Sequence, residues 1–276
     1  MCFKKLFTRP DKPTAHYARK ALLFGINDYP GTGSDLNGCV NDVYDVKKKL
    51  EESTPKFNIK IFTDAQVTRQ VFRFELNEAI YDLIPGDVLV VHYSGHGTYV
   101  NDVSGDESDG YDEALYLYDG PLIDDDIRNI LEGIPDGATV VMILDCCFSG
   151  TITRSLLSND LDSVSKSLVE KNRFFPNPIV KKSTKSIKVK NKLAKSDDMK
   201  WITFSGSGEH QTSADAYING KYNGAFTYFM LKALRPNITY AQWAHYTSNL
   251  FATSNFEQVP QIEGPESLLN NLIFYI

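Results

Sequence analysis

Three apolar runs constrain this chain more than any other feature. DVLVVHY (87–93), TVVMILD (139–145) and WITFSGS (201–207) are nearly unbroken in their hydrophobicity, and each leads into small or polar residues. A strand with one wet face alternates apolar and polar residues, whereas a continuous apolar run is covered on both faces. KALLFGI (20–26) reads the same way, and FNIKIF (57–62) reads as a further strand. The intervening segments carry helical phase. Leu36, Val40, Val43 and Leu50 mark a helix over roughly 35–52, with Asp35 or Ser34 as its cap. Val71, Ile80 and Leu83 mark another over 68–84, with Thr68 as N-cap. Two more follow near 224–235 and 239–252, the second opening on the capping-box pattern Thr239-x-x-Gln242. Buried strands alternating with helices specify an α/β fold, a mostly parallel central sheet with helices on both faces.

The chain is 276 residues long, with a net charge of −6. That charge argues against nucleic-acid binding by bulk electrostatics. No run of 18 apolar residues is present, so no membrane span is expected. The first twenty residues are too charged for a signal-peptide core, and the four cysteines (Cys2, Cys39, Cys146, Cys147) read as reduced thiols of a cytoplasmic protein. Residues 1–19 form a short arm, and 20–276 one domain in two parts. The large part (about 20–154) and the small part (about 200–276) are separated by a weakly periodic insertion (about 155–199). Two segments are biased in charge. Residues 101–126 hold ten acidic side chains and no Lys or Arg, and residues 181–200 hold eight lysines.

Open α/β sheets gather their active sites at the carboxyl ends of the strands. There the chain places His96 between Gly95 and Gly97, then Asp145-Cys146-Cys147, then Ser205-Gly206-Ser207. A thiolate is nucleophilic and an imidazole promotes its formation, so a Cys/His pair on such turns points to a cysteine hydrolase. A Cys after an apolar run can equally be a small buried hydrophobe, and His92, inside its run, reads as a packed core residue.

In order and context, YSGHG (93–97) and DCCFSG (145–150) resemble the two catalytic motifs of metacaspases, the caspase-like cysteine peptidases. GINDYPGTGSDLNGCVNDV (25–43), DGYDEAL (109–115), LIDDDI (122–127), QTSAD (211–215) and QVPQI (258–262) extend the resemblance over nearly the whole chain from about residue 20. It implies a caspase-like fold with Cys147 as nucleophile, His96 as its base and acid, and Gly97 and Cys147 N–H groups as oxyanion donors. It implies a substrate pocket of Cys39, Asp42, Ser94 and Asp145. Cys39 and Asp42 lie three apart at a helix start and share a face. Two carboxylates in one cleft favour a basic guest, above all the forked guanidinium of arginine. The partners expected are therefore proteins or peptides with a basic residue before the cut, acted on by a monomer without nucleic acid or membrane.

Likeness to calcium-activated metacaspases would place cation ligands at Asp112, Asp124 and Asp125, and hard oxygen donors in number are what calcium requires. Arg154 stands where the family has a further carboxylate, and Phe148 where it has a histidine. The lysines of the insertion suggest self-processing after a basic residue within about 154–195. The competing readings are an inactive caspase-fold binding module and a cysteine phosphatase. The second needs five residues between Cys and Arg, whereas Cys147 and Arg154 are separated by six.

Overall fold

A computed structural model describes residues 17–101, 111–147, 171–173, 175, 199–206 and 213–274. The chain runs through β1 (Arg19–Gly25), α1 (Cys39–Glu51), β2 (Asn58–Thr63), α2 (Arg69–Tyr81) and β3 (Val88–Ser94). A hairpin-like excursion follows, β4 (His96–Asn101), β5 (Tyr111–Leu117) and β6 (Gly120–Ile123), and then α3 (Asp124–Leu131) and β7 (Thr139–Asp145). Beyond lie β8 (Lys171–Asn172), β9 (Ile202–Ser205), β10 (Ala214–Ile218), β11 (Lys221–Gly224), α4 (Ala225–Ala233), α5 (Tyr240–Ala252), β12 (Gln261–Glu263) and α6 (Glu266–Leu269).

Six strands form the central sheet in the order β12-β9-β7-β3-β1-β2. All pairs are parallel except β12 with β9. Helices cover both faces, as the unbroken apolar strands require. On one face α2 and α3 bring Phe72, Leu76, Ile80, Ile127 and Leu131 onto Phe24, Leu89, Val91 and Val140. On the other, Val43, Val46 and Leu50 of α1 share a cluster with Phe226, Met230 and Trp243 of α4 and α5. The segments on either side of the insertion thus build one core. The register aligns Gly25 with Ser94, Ser94 with Asp145 and Leu144 with Ser205, so the carboxyl ends of the four central strands share one edge.

Thr68 caps α2 by accepting from Val71 N–H at 3.2 Å, and the Thr239–Gln242 capping box closes on α5 in both directions, at 3.1 and 2.9 Å. The start of α1 departs from expectation. It begins at Cys39, after Gly38, with neither Asp35 nor Ser34 as cap. Asn27 Oδ1 instead accepts from the Cys39 and Val40 N–H groups, and Asp215 from those of Asn37 and Gly38. Asp35 is turned back onto Tyr29 N–H, and the Ser34 carbonyl onto His96. The helix is shortened because its leader segment is committed to the site.

No helix among the described residues is long and apolar enough to cross a membrane. Cys39, Cys146 and Cys147 are buried and form no disulfide. Residues 1–16 of the N-terminal arm, Phe148, Arg154 and the lysines from Lys181 to Lys195 lie outside the described residues, while Arg19, expected in the arm, opens β1.

Candidate active site

His96 and Cys147 both lie at the carboxyl edge of the sheet. His96 opens β4 as the chain turns out of β3, and Cys147 follows β7 by two residues. Gly97 is required here by close approach, because a Cβ on it would overlap the Cys147 carbonyl oxygen. The imidazole Nε2 lies 2.6 Å from the Ser34 carbonyl oxygen. A carbonyl can only accept, so Nε2 carries the proton and Nδ1 the lone pair. Nδ1 is buried without a hydrogen-bond partner. Sequence reasoning had His96 acting with Cys147 alone. The structure supplies a third group, the main-chain carbonyl of Ser34, and fixes the backbone of His96 through Tyr29 Oη, which accepts from its N–H at 2.8 Å.

Burial governs the resting protonation of the pair. It pushes the Cys147 thiol up to about 12, although the Ser213 N–H directed at Sγ opposes the rise. It also lowers His96, against the backbone groups of Ser34 and Arg173. At neutral pH the resting site therefore holds a thiol and a neutral imidazole.

Beside this pair lies a pocket whose acids come from three elements: Asp42 on α1, Asp145 at the end of β7 and Asp215 on β10. All are fully buried, and all surround the buried guanidinium of Arg173. Arg173 Nη2 lies 2.9 Å from Asp42 and 3.1 Å from Asp215, while Nη1 lies 3.2 Å from Asp145 Oδ1 and donates to Ser94 Oγ at 2.6 Å. Burial would lower the guanidinium, but Asp145, Asp42 and Asp215 outweigh it and hold it well above its ordinary value. Burial pushes Asp42 up to about 7, with Arg173 opposing. Gly224 closes the floor: its N–H donates to Asp42, and a Cβ there would overlap Asp145 Oδ2.

The main chain around Arg173 is also held. Its N–H donates to the Ser213 carbonyl at 3.2 Å, extending the antiparallel pairing of β8 with β10. Its carbonyl oxygen accepts from Gly97 N–H at 2.9 Å and Cys147 N–H at 3.4 Å. A carbonyl lodged between two such donors beside a thiol and an imidazole has the arrangement that stabilises a developing oxyanion.

Each residue expected in the pocket or at the reacting centre is brought here: Cys39, Asp42, Ser94, His96, Gly97, Asp145 and Cys147. Sequence reasoning missed Asp215, Ser213 and Arg173. The first two stood inside QTSAD without an assigned role. Gln258 of QVPQI now has one as well, since its Oε1 accepts from Ala214 N–H and its Nε2 donates to the Gly206 carbonyl, tying β10 to the end of β9. The pocket's guest is Arg173, which lies outside the lysine-rich stretch.

Asp112, Asp124 and Asp125 stand apart from this pocket, on β5 and the first turn of α3. Burial raises Asp124, and the charges of Asp125 and Asp112 add to the rise. Arg128 stands 3.7 Å from Asp124 and competes for it. Among the described residues no group of three or more His, Cys, Asp or Glu side chains is placed to hold a metal ion. The described donors alone do not complete a calcium site.

A parallel sheet with a Cys/His pair and an acidic pocket at its carboxyl edge defines a caspase-fold cysteine peptidase. The caspase domain family matches residues 18–269, and the chain belongs to that family. It is similar to Metacaspase-1 of Botryotinia fuckeliana, 31% identical over 93% of this chain and 70% of that protein. Metacaspase-7 of Arabidopsis thaliana is 38% identical over 69% of this chain and 47% of its own length. Among solved structures, the protein GSU0716 from Geobacter sulfurreducens superposes with a TM-score of 0.69 at 25% identity, over 94% of this chain and 99% of that one. Caspase-1 from Spodoptera frugiperda shares the fold, with a TM-score of 0.59 at 14% identity, over 96% and 95% of the two chains.

Proposed function

We propose that this chain is a metacaspase-like endopeptidase that hydrolyses peptide bonds after Arg or Lys, and that it rests with its own Arg173 in the substrate pocket. The observation that carries the reading is the pose of Arg173, with its side chain among three buried carboxylates and its carbonyl between the Gly97 and Cys147 N–H groups. An inactive binding module has no need of that carbonyl geometry.

In the proposed reaction His96 Nδ1 takes the Cys147 proton as Sγ bonds to the carbonyl carbon. The oxyanion is held by the two N–H groups. When the C–N bond breaks, His96 gives the proton to the leaving amine. Water then attacks the thioester with His96 as base, releasing the carboxylic acid and restoring the thiol. Applied to the resting chain, the same steps cut it after Arg173. The enzyme works as a monomer in this reading, because one chain supplies the whole pocket. It belongs in a reducing, cytoplasm-like setting, because the nucleophile must remain a thiol.

Incubation of wild type and Cys147→Ala, followed by mass analysis, tests the proposal. Wild type should yield fragments ending at Arg173 and beginning at Phe174, and the variant should stay whole. A wild type that cleaves Arg peptides but is never cut after Arg173 would reduce the bound segment to a simple plug.

Calcium stimulation is a further part of the proposal. Its support is the pair of acidic neighbours, Asp125 and Asp112, whose charges act on the part-buried Asp124 against Arg128, since carboxylates gathered in this way suit a divalent cation. Calcium should raise the melting temperature of Cys147→Ala by mass action. An Asp124→Asn/Asp125→Asn variant should lose that shift, and an unchanged shift would remove these residues from any cation site.

A further inference from the structure

On the far side of the Arg173 carbonyl, the same segment makes a second set of contacts. Phe175 N–H donates to the Gly97 carbonyl at 2.8 Å, and the Thr98 hydroxyl donates to the Phe175 carbonyl at 2.8 Å. Together with the Gly97 N–H on the Arg173 carbonyl, these bonds hold the chain in register with β4 across the bond that the proposed reaction would break. The Phe175 side chain is not left to solvent. Its ring stacks on Tyr116 of β5 with centroids 3.8 Å apart and planes 16° from parallel, and it meets the His96 ring edge-on at 5.9 Å.

Tyr116 is itself held for this purpose. Its backbone carbonyl accepts from Tyr93 Oη at 2.9 Å, and its backbone pairs with His96 across the β4–β5 ladder. Its ring also leans on Tyr29, with centroids 6.1 Å apart. The stacking platform is therefore fixed to the same elements that orient the imidazole. Nothing in the acidic pocket requires an aromatic surface at this point, and stacking of this kind contributes beyond simple area burial.

We infer that the cleft carries a second recognition site, on the leaving-group side, for an aromatic residue two positions after the basic one. Tyr116 is its platform and Thr98 its main-chain clamp. This inference rests on the endopeptidase reading and adds to it a substrate class: a basic residue, any residue, then Phe, Tyr or Trp. Because the site binds only the leaving half, substrates ending in a small fluorophore would not reveal it.

The test uses quenched peptides spanning the bond. One carries the chain's own residues 171–177, Lys-Asn-Arg-Phe-Phe-Pro-Asn, and others replace its second Phe by Tyr, Leu or Ala. With self-processed wild-type protein, kcat/KM should be about tenfold higher for Phe than for Ala, with Tyr near Phe and Leu between. The Phe/Ala ratio should fall towards one in Tyr116→Leu and in Tyr116→Ala. Each ratio is taken within one protein, so it does not depend on how much of either variant is active. Thr98→Val should lower all four peptides in parallel, because the hydroxyl binds main chain. Equal cleavage of the Phe and Ala peptides by wild type, or a ratio that survives loss of Tyr116, would overturn this inference and leave the endopeptidase reading standing. Failure to cut any of the peptides after Arg would overturn the endopeptidase reading and this one together.

Discussion

Four donors converge on the Asp145 carboxylate: Arg173 Nη1, Ser213 Oγ, and the N–H and hydroxyl of Thr227. Three of them belong to the pocket and remain when the guest leaves, so the carboxylate is set in place before any substrate arrives. Asp145→Asn would turn an amide N–H₂ towards some of these donors and remove a charge from the basic guest. Losing one side of a buried, hydrogen-bonded charge pair costs about 2 kcal/mol or more, about 30-fold in kcat/KM for Arg peptides. Arg should be preferred to Lys, because only the fork reaches Asp42 and Asp215 through one nitrogen and Asp145 through the other. Asp substrates should not be cut, and measurable cleavage after Asp would refute the pocket assignment. His96 and the Asp145-Cys146-Cys147 turn stand out in the sequence because each follows an apolar strand run, whereas Cys147 rather than Cys146, and Asp42 and Asp145 as pocket residues, follow from the metacaspase resemblance. Arg173 was not legible, since its role comes from where a segment without periodicity folds back. The window of about 154–195 expected for self-processing contains Arg173, but density of charge singles out the lysines beyond it and says nothing about which side chain reaches the pocket.

At the scale of elements, β3 carries one histidine into the core and delivers the next to the site. His92 is fully buried, with Nε2 3.2 Å from Thr227 Oγ1. Burial lowers its pKa to about 4 from an ordinary 6.5. A histidine kept neutral in the folded chain gives stability that is present in full above 6.5. As the pH falls through 6.5 towards 4, the unfolded chain takes the proton first, and stability drains away over that window. The loss at its lower end is about 3 kcal/mol, and lowered His96 adds in the same direction. Asp42, raised to about 7, acts in the opposite direction over the same window, so the test is a difference: between pH 6.5 and 4 a His92→Gln background should lose less melting temperature than Cys147→Ala alone. A parallel slope in both would assign the acid sensitivity elsewhere. The long elements were legible because period and length suffice for buried parallel strands and capped helices. The short strands β4, β5, β6, β8, β10, β11 and β12 were not. Polar and charged residues mask the alternation of β4, β5, β6, β10 and β11, although these pair as local hairpins, and only β8 with β10 and β12 with β9 pair across a long stretch of sequence. The acidic stretch hid β5 and β6 for the same reason, since its charge suggested a loop where a ladder forms.

For the whole molecule, a cut after Arg173 divides the sequence without dividing the core. Parallel pairing joins β9 to β7, with Val141 opposite Ile202 and Leu144 opposite Ser205. Trp243 and Phe226 from beyond the cut pack in one cluster with Val43, Leu50 and Val141 from before it. At the pocket, Asp215 accepts from the N–H groups that open α1, and Asn223 Nδ2 donates to Asp42 at 3.0 Å. Both contacts survive cleavage, because neither passes through Arg173. The interface between the two products is thus the interior of a domain, far more apolar than the surface between transient partners. Self-processed protein should therefore elute from gel filtration at the position of the uncut Cys147→Ala chain, while denaturing electrophoresis resolves two fragments. Its unfolding should remain a single transition, with a midpoint that rises with protein concentration once the chain is cut, because reassociation has become bimolecular. Separate elution of the fragments under native conditions would mean that the segment around Arg173 holds the two parts together, and that the shared sheet does not.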